Sequence, residues 1–150
     1  MDKLHFDILY LIFGFLDFPL KIIFRCISKY THLLEIHDFY DIEDKYLRLL
    51  NDKILLNYPF IKYLNASNNI NITNVNHMNK LIKLNASGYC GVNNKGIENI
   101  KLIQYLIIRG NINISNINHM SKLIKLDTNG KHFILLMVKN NCINFKMLNK

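Results

Sequence analysis

Residues 71–88 read NITNVNHMNKLIKLNASG, and residues 113–130 read NISNINHMSKLIKLDTNG. The two stretches agree at Asn71, Ile72, Asn74, Asn76, His77, Met78, Lys80, Leu81, Ile82, Lys83, Leu84 and Gly88, with conservative exchanges at Thr73 and Val75. The copy lies 42 residues on, too long for one unit of a common repeat and about right for two. A chain that copies itself this closely builds an array, and arrays usually serve binding.

Around this copy, four short apolar signatures share one spacing: Ile61/Leu64/Ala66, Leu81/Leu84/Ala86, Ile103/Leu106/Ile108 and Leu123/Leu126/Thr128. Their starts are 20, 22 and 20 residues apart, which divides the 42-residue copy into two units. In each, alternation predicts a short strand with one face inward. An apolar pair follows at fixed distance (Ile70/Ile72, Cys90/Val92, Ile112/Ile114), and a second pair on the return path (Val75/Met78, Ile97/Ile100, Ile117/Met120). The longer middle unit fits an insertion at Asn94–Lys95, ahead of Gly96. The spacing is close to the leucine-rich pattern LxxLxLxxNxL, with one residue added before the Asn/Cys position. It predicts a stack in which each unit buries its edge on the next.

Before Pro59 the grammar is helical. Leu4, Ile8, Leu9, Ile12, Phe13 and Leu16 recur at steps of three and four, the mark of one buried face. Asp17–Phe18–Pro19 ends that helix, because proline disfavours a helical residue before it. A second helix is expected with Ile22, Ile23, Cys26, Ile27 and Tyr30 inward and Lys21, Arg25 and Lys29 outward. The acids Asp38, Asp41, Glu43 and Asp44 then favour the positive end of a third helix, along which Ile42, Tyr46, Leu49, Leu50 and Ile54 keep the period.

The 150 residues are half hydrophobic, enough for a core, and Asn, Ile and Lys abound while Pro, Gly and Trp are scarce. Bias towards A/T-rich codons raises those three residues together. The formal charge of +8 is then weak support for a nucleic-acid partner, since such lysines spread over solvated faces. Three cysteines without CxxC spacing, Cys26, Cys90 and Cys142, give neither a disulfide framework nor a zinc site and suit a reducing interior. The apolar run Ile8–Leu16 is flanked by Asp2, Asp7 and Asp17, lacks a cleavage site and is too short for a bilayer, so neither a signal peptide nor a membrane span is expected.

The first helical stretch, LHFDILYLIFGFLDFPLKIIFRCISKY from Leu4 to Tyr30, is similar to the F-box pattern. Leu4, Asp7, Ile8, Leu9, Ile12, Leu16 and Asp17 fall on its first half, and Arg25, Ile27, Ser28 and Lys29 on its second. The phrasing NITNVNHMNKLIKLNASGYCGVNNKGIENI resembles leucine-rich repeat proteins of amoeba-infecting giant DNA viruses, in which an F-box-like segment often precedes the repeats. His5 departs from the pattern, which has proline there and so a rigid start to its helix.

The resemblance implies an α+β chain: an F-box-like helical module over 1–36, a helical connector over 37–59, and a short leucine-rich solenoid over 60–130. The solenoid has parallel strands and irregular or helical return segments, and 131–150 forms a cap or truncated repeat. It also implies a substrate-recruiting subunit of a host cullin–RING ubiquitin ligase, acting in the host cytoplasm with no chemistry and no cofactor of its own. The Skp-type adaptor would meet Leu4, Ile8, Leu9, Ile12, Leu16 and Ile27; those residues could instead pack on the chain's own third helix. A repeat scaffold that binds protein without ligase docking is the alternative.

Other constellations point to structure. His77 and His119 occupy one repeat position and are too far apart to share a metal, so a local hydrogen-bonding role is expected. His5, His32, His37 and His132 show no HxxxH or HExxH spacing. No nucleophile has a nearby base and orienter, so no catalytic or metal-binding residue is expected. The sequons at Asn65, Asn71, Asn85 and Asn113 read as structural asparagines. On the outer strand face the spacing places Lys62, Tyr63 and Asn65, then Ile82, Lys83 and Asn85, then Gln104, Tyr105 and Ile107, then Ile124, Lys125 and Asp127. Among these, Lys62, Tyr63, Lys83, Asn85, Gln104, Tyr105, Lys125 and Asp127 are the expected substrate contacts. Lysine mixed with tyrosine and isoleucine suits an acidic protein partner. The same mix could also suit single-stranded nucleic acid, a less expected partner than protein, and a solvated face without a ligand stays open.

Overall fold

The computed structural model describes residues 3–128 and 146–147, and the chain divides into two compact units, 1–36 and 37–150. The first unit holds helices α1 (Lys3–Phe15) and α2 (Phe18–Arg25) and a 3₁₀ turn at Thr31–Leu33. Asp17 caps α2 by accepting from the Leu20 amide at 3.0 Å, with Pro19 in the first turn where no amide hydrogen is required. Ser28 and Thr31 exchange reciprocal bonds, the Ser28 amide to Thr31 Oγ1 at 3.0 Å and the Thr31 amide to Ser28 Oγ at 3.2 Å, which stops the chain from extending α2. Phe13 is buried and its ring centroid lies 6.2 Å from that of Phe24.

The second unit is mixed helix and strand around one parallel sheet, in the order β1 (Asp38–Phe39), β2 (Tyr63–Asn65), β3 (Lys83–Asn85), β4 (Tyr105–Ile107), β5 (Lys125–Asp127) and β6 (Lys146–Met147). Every neighbour in the sheet is the next strand in sequence. The register joins Phe39, Leu64, Leu84, Leu106 and Leu126 into one column, each at most 2 % exposed. Ile61, Ala66, Leu81, Ala86, Ile103, Ile108 and Leu123 are buried beside it, and only Thr128 of the expected inward set is half-exposed. A three-residue strand holds too few bonds to stand alone, so each strand depends on its neighbours in the sheet.

Segment 37–59 departs from the expected helical connector. It carries β1 and two separate four-residue helices, α3 (Asp44–Leu47) and α4 (Asp52–Leu55), and pairs with the next unit through Asp38↔Tyr63. The single third helix is interrupted at Asn51, whose extended backbone (φ −152°, ψ 171°) lets its side chain cap α4 at the Ile54 amide, 3.0 Å away. Leu49 is accordingly 65 % exposed while Leu50 and Leu55 are buried. The arrangement recurs 42 residues on, where Asn93 caps α5 (Asn94–Ile97) through the Gly96 amide at 3.1 Å. The amides of Thr73 and Asn74 donate to Asp52 Oδ1 at 2.8 and 3.2 Å, and those of Ser115 and Asn116 to Asn94 Oδ1 at 2.8 and 3.0 Å. The long repeat thus starts earlier than the sequence match indicated.

Of the apolar pairs expected after the strands, Ile72, Cys90, Val92 and Ile114 are buried, whereas Ile70 and Ile112 are 70 % and 87 % exposed and their inward places belong to Asn69 and Asn111. Asn69 Nδ2 donates to the carbonyls of Leu47 (2.7 Å) and Leu50 (2.9 Å), and its Oδ1 accepts from the Asn71 amide at 2.9 Å. Asn111 repeats this with Ala86, Val92 and the Asn113 amide at 2.8, 3.1 and 2.9 Å. Cys90 occupies the middle rung, its Sγ 4.0 Å from the Ile72 carbonyl. Asn69 and Asn111 follow their strand starts by six residues, but Cys90 follows Lys83 by seven. The two extra residues of the middle unit are therefore split, one at Gly88–Tyr89 and one around α5. Just before that rung the chain turns through the left-handed region at Asn68, Gly88 and Gly110 (φ 54°, 64° and 69°), which costs glycine least.

Candidate functional site

Two surfaces qualify as binding sites, one on each unit. On α1 the apolar residues form two stripes. Leu9, Phe13 and Leu16 turn inward, the two leucines being half-buried. Ile8, Leu11, Ile12 and Phe15, at steps of three and four, turn outward and are 43–84 % exposed. A helix that is apolar all round is normally covered by something. α2 has no buried residue at all, and Leu20, Ile23 and Ile27 stand 48–67 % exposed on it or just beyond. Of the second helix's expected inward set, Ile22 is only half-buried, and Ile23, Cys26, Ile27 and Tyr30 are exposed.

Of the expected adaptor contacts, Ile8, Ile12 and Ile27 lie on exposed apolar surface, Leu9 and Leu16 on the inward stripe, and the Leu4 side chain outside the described residues. Periodicity did not single out Leu11, Phe15, Leu20 and Leu33 and set Ile23 inward, because it reports that a helix has apolar residues at helical spacing and not which of them lack cover. Exposed apolar patches of this extent mark interaction sites.

The second surface is the outer face of the sheet. Register sets Asp38, Tyr63, Lys83, Tyr105 and Lys125 in one row and Asn65, Asn85, Ile107 and Asp127 in the next. A cavity of about 350 Å³ opens there, lined by Tyr40, Tyr63, Lys83, Tyr105, Lys125 and Asp127 with Leu106 and Ile107. Lys83 Nζ sits 3.4 Å from the Tyr40 ring centroid, a cation–π contact that orients the ammonium group. Tyr40 belongs to this face because β1 precedes β2, which the helical reading of 37–59 concealed.

Two expected contacts prove to be structurally engaged. Asp127 is 5 % exposed and receives Arg109 in a two-pronged pair, Nε to Oδ1 at 2.8 Å and Nη2 to Oδ2 at 2.5 Å. Hydrogen bonding to the carboxylate raises the Arg109 pKa above its ordinary value. A buried carboxylate of this kind is held by its partner and is not presented to a ligand. Asn85 Oδ1 accepts from the Ser87 amide at 3.2 Å and Ser87 Oγ at 2.6 Å, as Asn65 does from Ser67 at 3.1 and 2.7 Å. Two of the four sequon asparagines thus hold turns. Lys62, Tyr63, Lys83 and Gln104 are half-exposed, Tyr105 and Lys125 exposed.

His77 Nε2 lies 3.0 Å from the Leu55 carbonyl and His119 Nε2 2.8 Å from that of Ile97, so each ties its unit to the helical turn before it. Among the described residues no group of three His, Cys, Asp or Glu could hold a metal ion, and no helix is long and apolar enough to cross a membrane. The segment 131–150, read as a cap or truncated repeat, lies outside the described residues except for β6.

The two described cysteines differ sharply. Cys26 is exposed, while burial raises the Cys90 thiol to about 11 from 9.0. Alkylation at neutral pH is expected to mark Cys26 within minutes and Cys90 only after unfolding, as mass spectrometry of partly labelled protein would show. A native thiol pKa above the unfolded one favours the folded state below about pH 9, and that advantage is lost as pH rises towards 11. Equal labelling of both thiols in folded protein would contradict the buried placement.

Family models, curated proteins and solved structures yield no match to this chain.

Proposed function

We propose that this chain is a non-catalytic recruiting adaptor: an F-box-like helical module docks a Skp-type subunit of a host cullin–RING ubiquitin ligase, while a short leucine-rich solenoid holds a protein substrate. On this reading it acts in the cytoplasm of a virus-infected cell. The observation that carries it is the outward stripe Ile8, Leu11, Ile12 and Phe15 on α1, continued by Leu20, Ile23 and Ile27, in a unit separate from the sheet. Covering such anchors with a partner supplies the free energy that the isolated unit leaves unused. The strand pattern at 20 and 22 residues, the repeated asparagine rungs and the sequential parallel sheet support the solenoid reading.

Pull-down of the full chain with a purified Skp-type adaptor is expected to show micromolar or tighter retention. Ile8→Asp with Ile12→Asp changes two exposed positions, and each lost anchor is worth about 2 kcal/mol; either change alone should weaken retention about thirtyfold and the pair several hundredfold. Absence of retention by the unaltered chain ends the ligase reading. It would favour a repeat scaffold without ligase docking, which His5 in the place of proline already suggests.

A further inference from the structure

We propose that the row Tyr63–Lys83–Tyr105–Lys125 binds an extended acidic peptide whose carboxylates recur at every third residue. The inference rests on the reading that the sheet face meets a protein partner, and it specifies that partner's chemistry.

Three observations carry it. From β2 to β5 tyrosine and lysine alternate at one register, with Lys146 of β6 following Lys125 in the same row, so like residues of those four strands stand two strands apart. At about 4.8 Å per strand that is roughly 9.6 Å. A polyproline II segment rises about 3.1 Å per residue with three residues per turn, so it repeats its side chains at roughly 9.3 Å. Such a peptide crossing the strands would bring one acid to Lys83 and the next to Lys125, with its apolar residues on Tyr63 and Tyr105.

The cavity's charge is also one-sided. Asp127, the acid in its described lining, is buried and neutralised by Arg109, which leaves Lys83 and Lys125 as the charges of that described lining that face a ligand. Asp38 stands at the far end of the same row on β1, where it accepts from the Tyr40 amide at 2.8 Å. A polyanion crossing all these strands would have to run against that carboxylate, whereas a peptide whose first acid lies at Lys83 and whose next lies at Lys125 does not, which favours peptide over single-stranded nucleic acid. Finally, Lys83 is already oriented on the Tyr40 ring, so less side-chain freedom is lost on binding.

The test uses the full chain and a fluorescent nine-residue peptide with glutamate at every third position between prolines. An isomer with its glutamates contiguous, a lysine counterpart and a nine-nucleotide oligothymidine serve as competitors. Anisotropy is expected to show at least about tenfold tighter binding of the spaced acidic peptide than of its isomer. Lys83→Gln with Lys125→Gln should weaken it about tenfold, and Lys125→Gln alone, at an exposed site, about threefold, with the circular dichroism spectrum unchanged. Equal binding of the two isomers, indifference to both variants, or tighter binding of the oligonucleotide overturns the proposal. Adaptor capture measured on the same samples separates the two claims. Peptide binding without capture supports this site while removing the ligase reading, and capture without peptide binding removes this site alone.

Discussion

Asn111→Leu is expected to lose about 3–5 kcal/mol of folding stability, although the replacement is nearly isosteric and more apolar. Asn111 is 1 % exposed and spends both ends of its amide on backbone: Nδ2 on the Ala86 and Val92 carbonyls of the preceding unit, Oδ1 on the Asn113 amide of its own. Leucine would bury two carbonyls and one amide without partners, at about 1–3 kcal/mol each before relaxation. Apolar transfer gains only part of that back. Urea unfolding followed by circular dichroism measures the loss. Asn111→Cys is the informative companion, because the middle rung of the same ladder is Cys90; it should lose less than half as much. A leucine variant within about 1 kcal/mol of the parent would show that the asparagine rungs do not hold the stack together.

Leu84→Ala is expected to lose about 4 kcal/mol. Leu84 is fully buried at the middle of the inward column, with Leu64 and Leu106 opposite it on the two flanking strands. Truncation removes the transfer free energy of the side chain and leaves a cavity that two rigidly paired neighbours cannot close; buried leucines so treated lose about 2–5 kcal/mol. The upper range applies because one side chain packs between the leucines of two flanking strands. Ile124→Ala, at a position 46 % exposed just before β5, should change stability by less than about 0.5 kcal/mol and serves as the control. A typical domain has about 5–15 kcal/mol in hand, so the Leu84 variant should show a clearly lowered melting temperature. Similar losses at both positions would contradict the inward placement of the column.

The strand residues were legible because a period of two is a strong local signal and four copies repeat it. Leu64, Leu84, Leu106 and Leu126 all lie where that pattern sets them. The first unit of the sheet was not, because Tyr63 follows its partner Asp38 by 25 residues, an interval lengthened by α3 that no longer matches the later units. The acids from Asp38 to Asp44 suit a helix start, yet Asp38 and Phe39 pair as strand and only Asp44 opens a helix. The asparagine rungs escaped for a related reason. A two-residue length difference looks like one insertion, but it is divided between the turn at Gly88–Tyr89 and the segment around α5.

The outward face was partly legible. Tyr63, Lys83, Tyr105 and Lys125 follow from alternation alone, whereas the withdrawal of Asp127 required Arg109, 18 residues earlier and one strand away. Tyr40 joined the cavity only once β1 was paired.

Local periodicity by itself determined where β2 to β5 lie and that Leu64, Leu84, Leu106 and Leu126 point inward, because those properties depend on neighbours within a few residues. Tertiary structure alone decided which buried polar groups link the units, which carboxylate is neutralised and which apolar stripe of α1 stays uncovered. Each of those depends on contacts between residues far apart in sequence, and a hydrogen bond or a covered side chain exists only when the partner's position in space is set.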